Sequence, residues 1–325
     1  MDFYTCGINY KSVDIILREK YSLPESISDE ILKKLKRMSI LPIVILSTCN
    51  RTEFYFSEKS KKFVEVLKDF NYILDENFEK KGGVRAVEHL MRVASGLESQ
   101  ILGETEILLQ VKRAYYKSLN LGLTNKIFNL IFNKTLRTAK DVRSKTKISY
   151  GNISFASIIF KKIKDLFGCA INKNILLLGT GSIAESVLNY FNKNEIKLKI
   201  VSGRYYEKAV QLANKLKDGV EVYHFHELPR LIMTADIIIV ATSAPHFLIT
   251  KENITKDERT RIIFDLAVPR NVDPDIKDEN TIIYNIDDIK EISDKGFQIR
   301  KNSAVEAEKI IESQIEEIKK YAEFN

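Results

Sequence analysis

The chain has 325 residues, with 29% charged and 44% hydrophobic side chains. This composition excludes a disordered chain, a disulfide-rich scaffold and a collagen-like repeat, and the length favours about two domains. The net charge of +7 is uneven, because residues 1–150 hold 26 basic and 18 acidic side chains (+8) and residues 151–325 hold 25 and 26 (−1). We therefore expect a polyanionic partner for the first half.

The cysteines and the N-terminal segment indicate the compartment. Cys6, Cys49 and Cys169 are an odd number in a long chain, which favours free thiols in a reducing environment. Residues 1–20 contain charged side chains and lack the continuous apolar run of a signal peptide. We expect a cytoplasmic protein without a membrane-spanning segment, since the longest apolar runs have only the length of strands.

The first region of the chain combines predicted strands and helices. Short apolar runs at residues 3–8, 43–46 and 54–56 predict strands. From residue 84 to residue 147 the apolar side chains recur at spacings of three and four, which predicts helices. The segment 112–147 holds ten basic residues and a single acid, and we expect it to contact the polyanion. The proposed contacts are Lys126, Lys134, Arg137, Lys140 and Arg143, and the alternative is a solvated helix face.

The second region alternates apolar runs with amphipathic segments. Six strands are predicted, at residues 175–178, 198–201, 220–223, 237–241, 262–264 and 282–284. Helices are predicted between several of them, including residues 183–191 and 205–216. This alternation is typical of a doubly wound parallel sheet.

A single helical stripe of apolar residues closes the chain, over residues 294–321. We therefore expect a multidomain fold of the α/β and α+β classes. It would comprise an α+β catalytic domain at residues 1–148, a Rossmann-type nucleotide-binding domain at residues 149–290 and a long connecting helix at residues 291–325.

A glycine-rich turn follows the first strand of the second region. The turn reads Gly179-Thr180-Gly181-Ser182-Ile183-Ala184 and leads into a predicted helix. In this context the first glycine permits the turn, the second lets the backbone approach a pyrophosphate, and the helix N-terminus attracts the anion. The motif predicts a dinucleotide site, the alternative being an ordinary glycine-rich turn.

The end of the next strand distinguishes NAD from NADP. The chain reads Val201-Ser202-Gly203-Arg204 there, and no acid precedes Glu207. An acid at this place would bind the ribose 2′-hydroxyl of NAD, whereas a guanidinium pairs with a 2′-phosphate. Ser202 and Arg204 therefore favour NADPH, and a solvated surface arginine is the alternative.

Two clusters in the first region are candidates for chemistry. Cys49 lies in a polar loop beside Arg51, whose guanidinium would lower the pKa of the thiol, although an inert loop cysteine is the alternative. Four polar side chains further on could hold an ammonium and hydroxyls, or serve only as caps and a solvated helix face: Ser99, Glu104, Glu106 and Gln110. The histidines of the second region lack partners at metal-ligand spacing, so we expect no metal site.

Three stretches of the chain resemble glutamyl-tRNA reductases: residues 47–53, 89–115 and 265–274. Residues 7–11 and 284–288 are also similar to that family, so the resemblance covers essentially the whole chain. It implies NADPH-dependent reduction of the glutamate esterified to tRNA(Glu), which yields glutamate-1-semialdehyde for 5-aminolevulinate and tetrapyrrole biosynthesis. It also implies glutamyl-tRNA as partner, with glutamate-1-semialdehyde aminomutase as a further one.

The resemblance also implies residue roles. Cys49 would be the nucleophile that forms a thioester, and His89 a residue important for activity, either as acid/base or by orienting its neighbours. Arg51 would bind the side-chain carboxylate of the glutamate and Glu104 its α-ammonium. The implied substrate contacts are Thr48, Asn50, Arg51, Ser99, Glu104, Thr105, Glu106 and Gln110.

The sequence departs from the family pattern at several positions. Tyr10 stands where histidine is usual, Thr105 and Glu106 where Pro-Gln is usual, and Ala184 where a third glycine is common. Glu106 adds a carboxylate beside the expected substrate pocket. The family usually continues into a helical dimerisation domain, which we expect to be absent here, and this leaves the oligomeric state open. The final helix would pack along the other two domains or pair as a coiled coil.

Two other functions are compatible with parts of the sequence. A small-molecule NADP oxidoreductase of the shikimate dehydrogenase kind would share the nucleotide domain but leaves the segment 47–53 unexplained. A non-catalytic tRNA-binding relative would explain Glu106 and the missing terminal domain.

Overall fold

A computed structural model of the protein describes residues 1–149, 154–168, 173–202, 206–216, 220–254, 258–276, 279–291 and 297–323. The chain divides into two compact units. The first unit comprises Met1–Asn152 and Asp294–Asn325, and the second comprises Ile153–Ser293.

The described residues form helices and strands in both units. The strands are β1 (Tyr4–Asn9), β2 (Ile43–Ser47), β3 (Arg51–Phe56), β4 (Glu79–Gly82), β5 (Ile175–Leu178), β6 (Leu198–Ser202), β7 (Val220–His224), β8 (Ile237–Val240), β9 (Arg261–Asp265) and β10 (Thr281–Asn285). The helices are α1 (Ile15–Lys20), α2 (Glu25–Arg37), α3 (Phe63–Lys68), α4 (Val84–Ser95), α5 (Glu106–Asn120), α6 (Lys126–Lys145), α7 (Phe155–Phe167), α8 (Ser182–Lys193), α9 (Tyr206–Ala213), α10 (Leu228–Thr234), α11 (Asp288–Glu291) and α12 (Phe297–Glu323).

The first unit is built on a four-stranded antiparallel sheet with the strand order β2-β3-β1-β4. Both faces of the sheet are covered by helices. Alternate residues of β2 and β3 point to opposite faces of the sheet and enter two separate cores. The core that includes α4, α5 and α6 contains Val44, Leu46 and Tyr55. The core that includes α2 and α3 contains Ile43, Ile45, Phe54 and Phe56. Because both faces are buried, these strands read as continuous apolar runs.

The predicted helical region at residues 84–147 consists of three helices. Helix α4 ends at Gly96, whose φ of +81° lies in the left-handed region that glycine adopts without a Cβ penalty. Irregular turns follow as far as Thr105, and α5 begins at the next residue. Helix α6 starts where the Asn125 side chain accepts a hydrogen bond from the Phe128 backbone N–H (2.9 Å).

The predicted C-terminal helix is α12, which belongs to the first unit. Its apolar stripe is buried against α4 and α6. The buried members are Ala307, Ile311, Ile315 and Ile318. The spacing of three and four therefore marks a packed helix face within this unit.

The second unit contains a six-stranded parallel sheet with the order β10-β9-β8-β5-β6-β7. All six predicted strands are present, and helices connect several of them, which confirms the doubly wound fold. The strand order reverses between β5 and β8, the point at which open α/β sheets bind nucleotides. No helix in the described part of the chain has both the length and the apolar character needed to cross a membrane.

Candidate active site

Cys49 lies at the tip of the β2–β3 hairpin. Strand β2 ends at Ser47 and β3 begins at Arg51, which leaves three residues for the turn. The Thr48 backbone N–H donates to the Arg51 carbonyl (2.8 Å), and Thr48 Oγ1 accepts from the N–H groups of Asn50 and Arg51 (both 3.2 Å). The Thr48 hydroxyl therefore shapes the turn that presents the cysteine.

Two residues outside the hairpin support its tip. Arg18 of α1 is buried, and its Nη1 donates to the Cys49 carbonyl (3.2 Å) and to Asn50 Oδ1 (3.4 Å). The Tyr10 backbone N–H donates to the Asn50 carbonyl (2.9 Å), and the Tyr10 hydroxyl donates to the carbonyl of Ser99 (3.0 Å). Tyr10, which departs from the family pattern, thus joins the cysteine turn to the segment that carries Ser99.

The Cys49 thiol is half-buried and neutral in the free protein. Burial, and then the charge of Glu104, raise its pKa to about 12, while the Arg18 guanidinium acts in the opposite direction. The prediction that Arg51 would lower this pKa is wrong, because that guanidinium is paired elsewhere. Since a thiolate is the nucleophile, the thiol has to lose its proton before it attacks a carbonyl.

Arg51 belongs to a buried network around Glu53. Arg51 Nη1 donates to Glu53 Oε1 (2.8 Å), His89 Nε2 lies 2.9 Å from the same oxygen, and the Tyr55 hydroxyl donates to Glu53 Oε2 (2.5 Å). Burial by itself would raise the pKa of Glu53, but His89, Arg51 and the Tyr55 hydroxyl hold it well below its ordinary value. This carboxylate is therefore ionised and fixes both His89 and Arg51.

Arg51 is also connected to the segment after α4. Its Nη2 donates to the carbonyl of Glu98, and its Nε has no hydrogen-bond partner among the described residues. The Glu98 carboxylate in turn accepts from Lys11 (2.5 Å) and from Arg92 Nε (2.8 Å). Arg92 Nη1 donates to Glu308 of α12, so the C-terminal helix is connected through ion pairs to this segment.

Two buried carboxylates lie at the start of α5. Burial, and then the charge of Glu106, raise the pKa of Glu104 to about 7, while Ser99, Arg51 and Arg143 act to lower it. Both carboxylates act electrostatically on the Cys49 thiol. The structure thus brings Cys49, Ser99, Glu104 and Glu106 into one neighbourhood.

The remaining predicted substrate contacts lie at its edge. Thr105 is exposed immediately before α5, and its hydroxyl lies 3.5 Å from Glu106 Oε2. Gln110 is half-buried, one helical turn after Glu106 and on the same face of α5.

The basic segment divides into outward and inward side chains. Lys126, Arg137 and Lys140 are exposed on α6. Lys134 forms an ion pair with Glu317 of α12 (2.5 Å), and Arg143 donates to the Glu104 carbonyl (2.7 Å). Lys134 and Arg143 therefore have partners within the protein, and contact of the basic segment with a polyanion stays a prediction.

The glycine-rich turn of the second unit has the geometry of a dinucleotide cradle. Gly179 follows β5 with a φ of +113°, and a Cβ there would lie 2.2 Å from the Ala241 carbonyl oxygen. Gly181 precedes α8, which starts at Ser182 and has no side-chain cap, so its first N–H groups are available to a pyrophosphate. Thr180 and Ala184 are buried, and Ile183 is in the first turn of α8.

The residues that would distinguish the two nicotinamide cofactors are only partly described. Ser202 ends β6 and pairs in register with His224 of β7. Arg204 lies outside the described residues.

The segment at residues 265–274 has a structural role. Asp265 ends β9, and its carboxylate accepts from the N–H groups of Asn271 and Val272 (both 2.9 Å). The Asn271 side chain donates to the Ala244 carbonyl (2.8 Å) and accepts from the Thr242 hydroxyl (2.5 Å). These contacts fasten the loop after β9 to the loop after β8, at the carboxyl edge of the sheet.

Sequence reasoning missed three residues of the first site. Nothing in the pattern distinguishes Arg18, a single arginine in a short helix, or the Glu53 carboxylate two residues after Arg51. Arg143 does carry a signal, since it lies four residues after buried Ala139 and seven after buried Leu136, on the apolar face of α6. The described residues contain no group of histidine, cysteine and carboxylate side chains that could hold a metal ion.

Comparison with known proteins identifies the family. Residues 6–146 match the family model "Glutamyl-tRNAGlu reductase, N-terminal domain", and residues 161–292 match "Shikimate / quinate 5-dehydrogenase". Glutamyl-tRNA reductase of Methanococcus maripaludis is 37% identical over 97% of this chain and 78% of its own length. That of Aquifex aeolicus is 33% identical over 98% and 80%. The solved glutamyl-tRNA reductase from Methanopyrus kandleri is 29% identical, with a TM-score of 0.54 over 99% of this chain and 80% of that one.

The fold and the site define an oxidoreductase that combines a Rossmann-type nucleotide-binding unit with an α+β unit carrying a cysteine turn. At this level of identity over nearly its whole length, the chain belongs to the glutamyl-tRNA reductase family.

Proposed function

We propose that the protein catalyses the NADPH-dependent reduction of glutamyl-tRNA(Glu) to glutamate-1-semialdehyde, the first step of 5-aminolevulinate and tetrapyrrole biosynthesis. The observation that carries the proposal is the cysteine turn. Cys49 stands at the tip of a hairpin beside two buried carboxylates and the Arg51 network, where a small zwitterionic group would be held.

The cysteine supplies the covalent step. The Cys49 thiolate attacks the ester carbonyl of the glutamyl group, the tRNA hydroxyl leaves with a proton, and a thioester remains on sulfur. Hydride addition to the thioester carbon and loss of the thiolate then release the aldehyde. A free carboxylate is a poor hydride acceptor, so the tRNA ester serves as the activating group.

Substrate binding would lower the barrier that the high pKa of Cys49 presents. The charge of Glu104 is one cause of that high pKa. An α-ammonium bound at Glu104 offsets this charge, and the thiol then ionises more readily. The substrate would in this way activate its own nucleophile.

Arg51 is the proposed partner of the substrate's side-chain carboxylate. Two of its nitrogens are engaged by Glu53 and the Glu98 carbonyl, and Nε is a buried donor without a hydrogen-bond partner among the described residues. A substrate carboxylate that bonds to Nε would have to displace the groups that cover it. His89 lies against Glu53, which supports an orienting role in which His89 and Glu53 hold the guanidinium.

NADPH is the proposed reductant, and it supplies the hydride when bound. Residues 179–184 would hold its pyrophosphate at the start of α8, and Ser202 and Arg204 are the residues proposed to recognise the 2′-phosphate. The close approach of Gly179 to the Ala241 carbonyl supports this assignment, because no larger residue fits the turn.

Glutamyl-tRNA is the proposed partner, and the exposed basic side chains of α6 are its proposed contacts. Glutamate-1-semialdehyde aminomutase is proposed as the enzyme that receives the reactive aldehyde. The match to the shikimate/quinate dehydrogenase family is confined to residues 161–292 and leaves the cysteine turn without a role.

The proposal is tested by mixing the protein with glutamyl-tRNA charged with labelled glutamate, with and without a reductant. Without reductant we expect a labelled protein thioester, and with NADPH we expect the semialdehyde in preference to the reaction with NADH. Cys49→Ser should form no thioester. Cys6→Ala is the matched control, since Cys6 is a buried core residue of β1, and it should retain the reaction.

Two results would overturn the proposal. Tight tRNA binding without a thioester would identify a non-catalytic relative. Oxidation or reduction of free small acids in the absence of tRNA, unaffected by Cys49→Ser, would identify a dehydrogenase of the shikimate kind.

A further inference from the structure

Arg143 belongs to the basic segment 112–147, but its guanidinium contacts the Gly103–Glu104 turn that precedes α5. It is half-buried, whereas Lys140, one helical turn earlier, and the following Ser144 are exposed. Its position follows from the helix period, because it shares a face with the buried residues Leu136 and Ala139. The guanidinium is therefore not part of the exposed basic face.

Two hydrogen bonds attach this guanidinium to the turn before α5. Arg143 Nη2 donates to the carbonyl of Glu104 (2.7 Å), and Nη1 donates to Ser149 Oγ (3.4 Å). The Ser149 hydroxyl in turn donates to the carbonyl of Gly103 (3.0 Å). Two consecutive carbonyls of the turn are thus held, one directly and one through Ser149.

Other contacts also fix the conformation of the Gly103–Glu104 turn. Gly103 has a φ of +77°, and a Cβ there would lie 1.8 Å from the Ile148 carbonyl oxygen. The Gly103 backbone N–H donates to the Gly96 carbonyl (3.0 Å). The segment after α6 is therefore packed directly against residue 103; Ser149 belongs to that segment, and Arg143 to the last turn of α6.

The charge of Arg143 acts on the two buried carboxylates. Glu104 and Glu106 both interact electrostatically with the guanidinium. Among the described residues, Ser99, Arg51, the Cys49 thiol and the Tyr10 hydroxyl also act on Glu104. Among these only Arg51 is a cation, and Glu53 already pairs with it. Two carboxylates in a pocket that has to receive the side-chain carboxylate of the glutamyl group repel that carboxylate unless a cation compensates them.

We propose that Arg143 is a positioning residue of the substrate pocket, which holds the Gly103–Glu104 turn by hydrogen bonds and compensates the Glu104–Glu106 carboxylate pair. This inference rests on the proposed function.

The experiment separates charge from geometry with two substitutions. Arg143→Gln removes the charge, and Arg143→Lys keeps a charge but cannot bond to two acceptors through a planar fork. Arg85→Gln is the matched control, since Arg85 is exposed at the first turn of α4. Each variant is compared by urea unfolding to establish that it is folded.

The first readout is the titration of the Glu104 carboxyl by NMR in protein labelled with 13C-glutamate, with Glu104→Gln identifying the resonance. Arg143→Gln should raise the midpoint by about one pH unit, and Arg143→Lys and Arg85→Gln should leave it near that of the parent protein. This readout uses no substrate, so it remains valid whatever the outcome with glutamyl-tRNA.

The second readout is the rate of thioester formation against glutamyl-tRNA concentration. Arg143→Lys should raise KM by about tenfold, with a smaller effect on kcat, and Ser149→Ala should raise KM less. An unchanged midpoint in Arg143→Gln together with an unchanged KM in Arg143→Lys would overturn the inference. If Arg143→Gln does not fold, the KM of Arg143→Lys and Ser149→Ala decides it. Absence of a thioester in the parent protein would overturn the proposed function instead, and the titration would still decide the charge role of Arg143.

Discussion

Two buried glutamates of the same site have opposite environments. Glu53 is surrounded by Arg51, His89 and the Tyr55 hydroxyl, all of which stabilise its charge. Glu104 lies beside another carboxylate, and its backbone rather than its side chain receives the hydrogen bond from Arg143. The first is a structural anion, and the second is poised to change charge near neutral pH.

This contrast predicts opposite effects of two isosteric substitutions. The pKa of Glu104 in the folded protein, about 7, is above its ordinary value of 4.5. Its contribution to stability is therefore present below about pH 4.5 and is lost as the pH rises through about 7. The substitution Glu104→Gln should change the free energy of unfolding more favourably at pH 8 than at pH 5. The difference between the two changes should be about 1–3 kcal/mol. Glu53→Gln should instead lower the free energy of unfolding by about 3 kcal/mol, because it leaves Arg51 and His89 without their anion.

Urea unfolding of both variants at pH 5 and pH 8 is the measurement. A Glu104→Gln effect that is the same at both pH values would show that this carboxyl does not titrate between them.

At the scale of elements, the C-terminal helix α12 is connected to the segment after α4 that carries Glu98, in addition to packing in the hydrophobic core. Arg92 of α4 bonds to Glu308 of α12 and to Glu98, whose carbonyl holds Arg51. The apolar stripe of α12 supplies most of the packing, and the Arg92–Glu308 ion pair adds one polar contact with α4.

A double-mutant cycle on Arg92→Gln and Glu308→Gln tests that link. Both side chains are about a third exposed, so we expect a coupling energy of about 0.5–1 kcal/mol in the free energy of unfolding. The exposed pair Lys319 and Glu316 on the same helix is the control and should give a coupling near zero. Equal coupling in the two pairs would mean that the Arg92–Glu308 contact contributes no more than a solvated one.

At the scale of the molecule, the charge excess lies in the first 150 residues and three exposed side chains of α6 carry part of it. Lys126, Arg137 and Lys140 are the contacts proposed for tRNA, whereas Lys134 is neutralised by Glu317. The second half is nearly neutral, so long-range attraction of a polyanion is directed to the first.

Reversing these three charges together should weaken tRNA binding and flatten its salt dependence. The slope of log Kd against log salt should decrease by about 0.7–0.9 for each phosphate that the protein no longer neutralises. Lys161→Glu with Lys164→Glu and Lys193→Glu, three exposed positions on α7 and α8 of the second unit, is the control for net charge, because it changes the charge by the same amount. Filter binding of glutamyl-tRNA between about 50 and 200 mM salt is the measurement. A control with the same reduction in affinity would show that net charge, rather than this face, attracts the tRNA.

Much of the architecture was determined by local sequence patterns. The six apolar runs of the second region became the six parallel strands. Strands β5, β8 and β9 are buried along their whole length and therefore read as continuous apolar segments, whereas the edge strands β7 and β10 are only partly buried. The glycine-rich turn and the apolar stripe of α12 were also predictable from the sequence, since each depends on the spacing of a few neighbouring residues. The sequence by itself also placed Cys49 in a turn between two strands.

The tertiary structure decided the electrostatics of the site. The sequence places Arg51 beside Cys49 and suggests a lowered pKa, but the fold pairs Arg51 with Glu53, and burial together with the charge of Glu104 raises the pKa of the thiol. Arg143, which the sequence places among surface charges, contacts the Gly103–Glu104 turn in the folded protein. Such outcomes depend on which distant segments meet and on how much water they exclude, and neither quantity is contained in the spacing of residues along the chain.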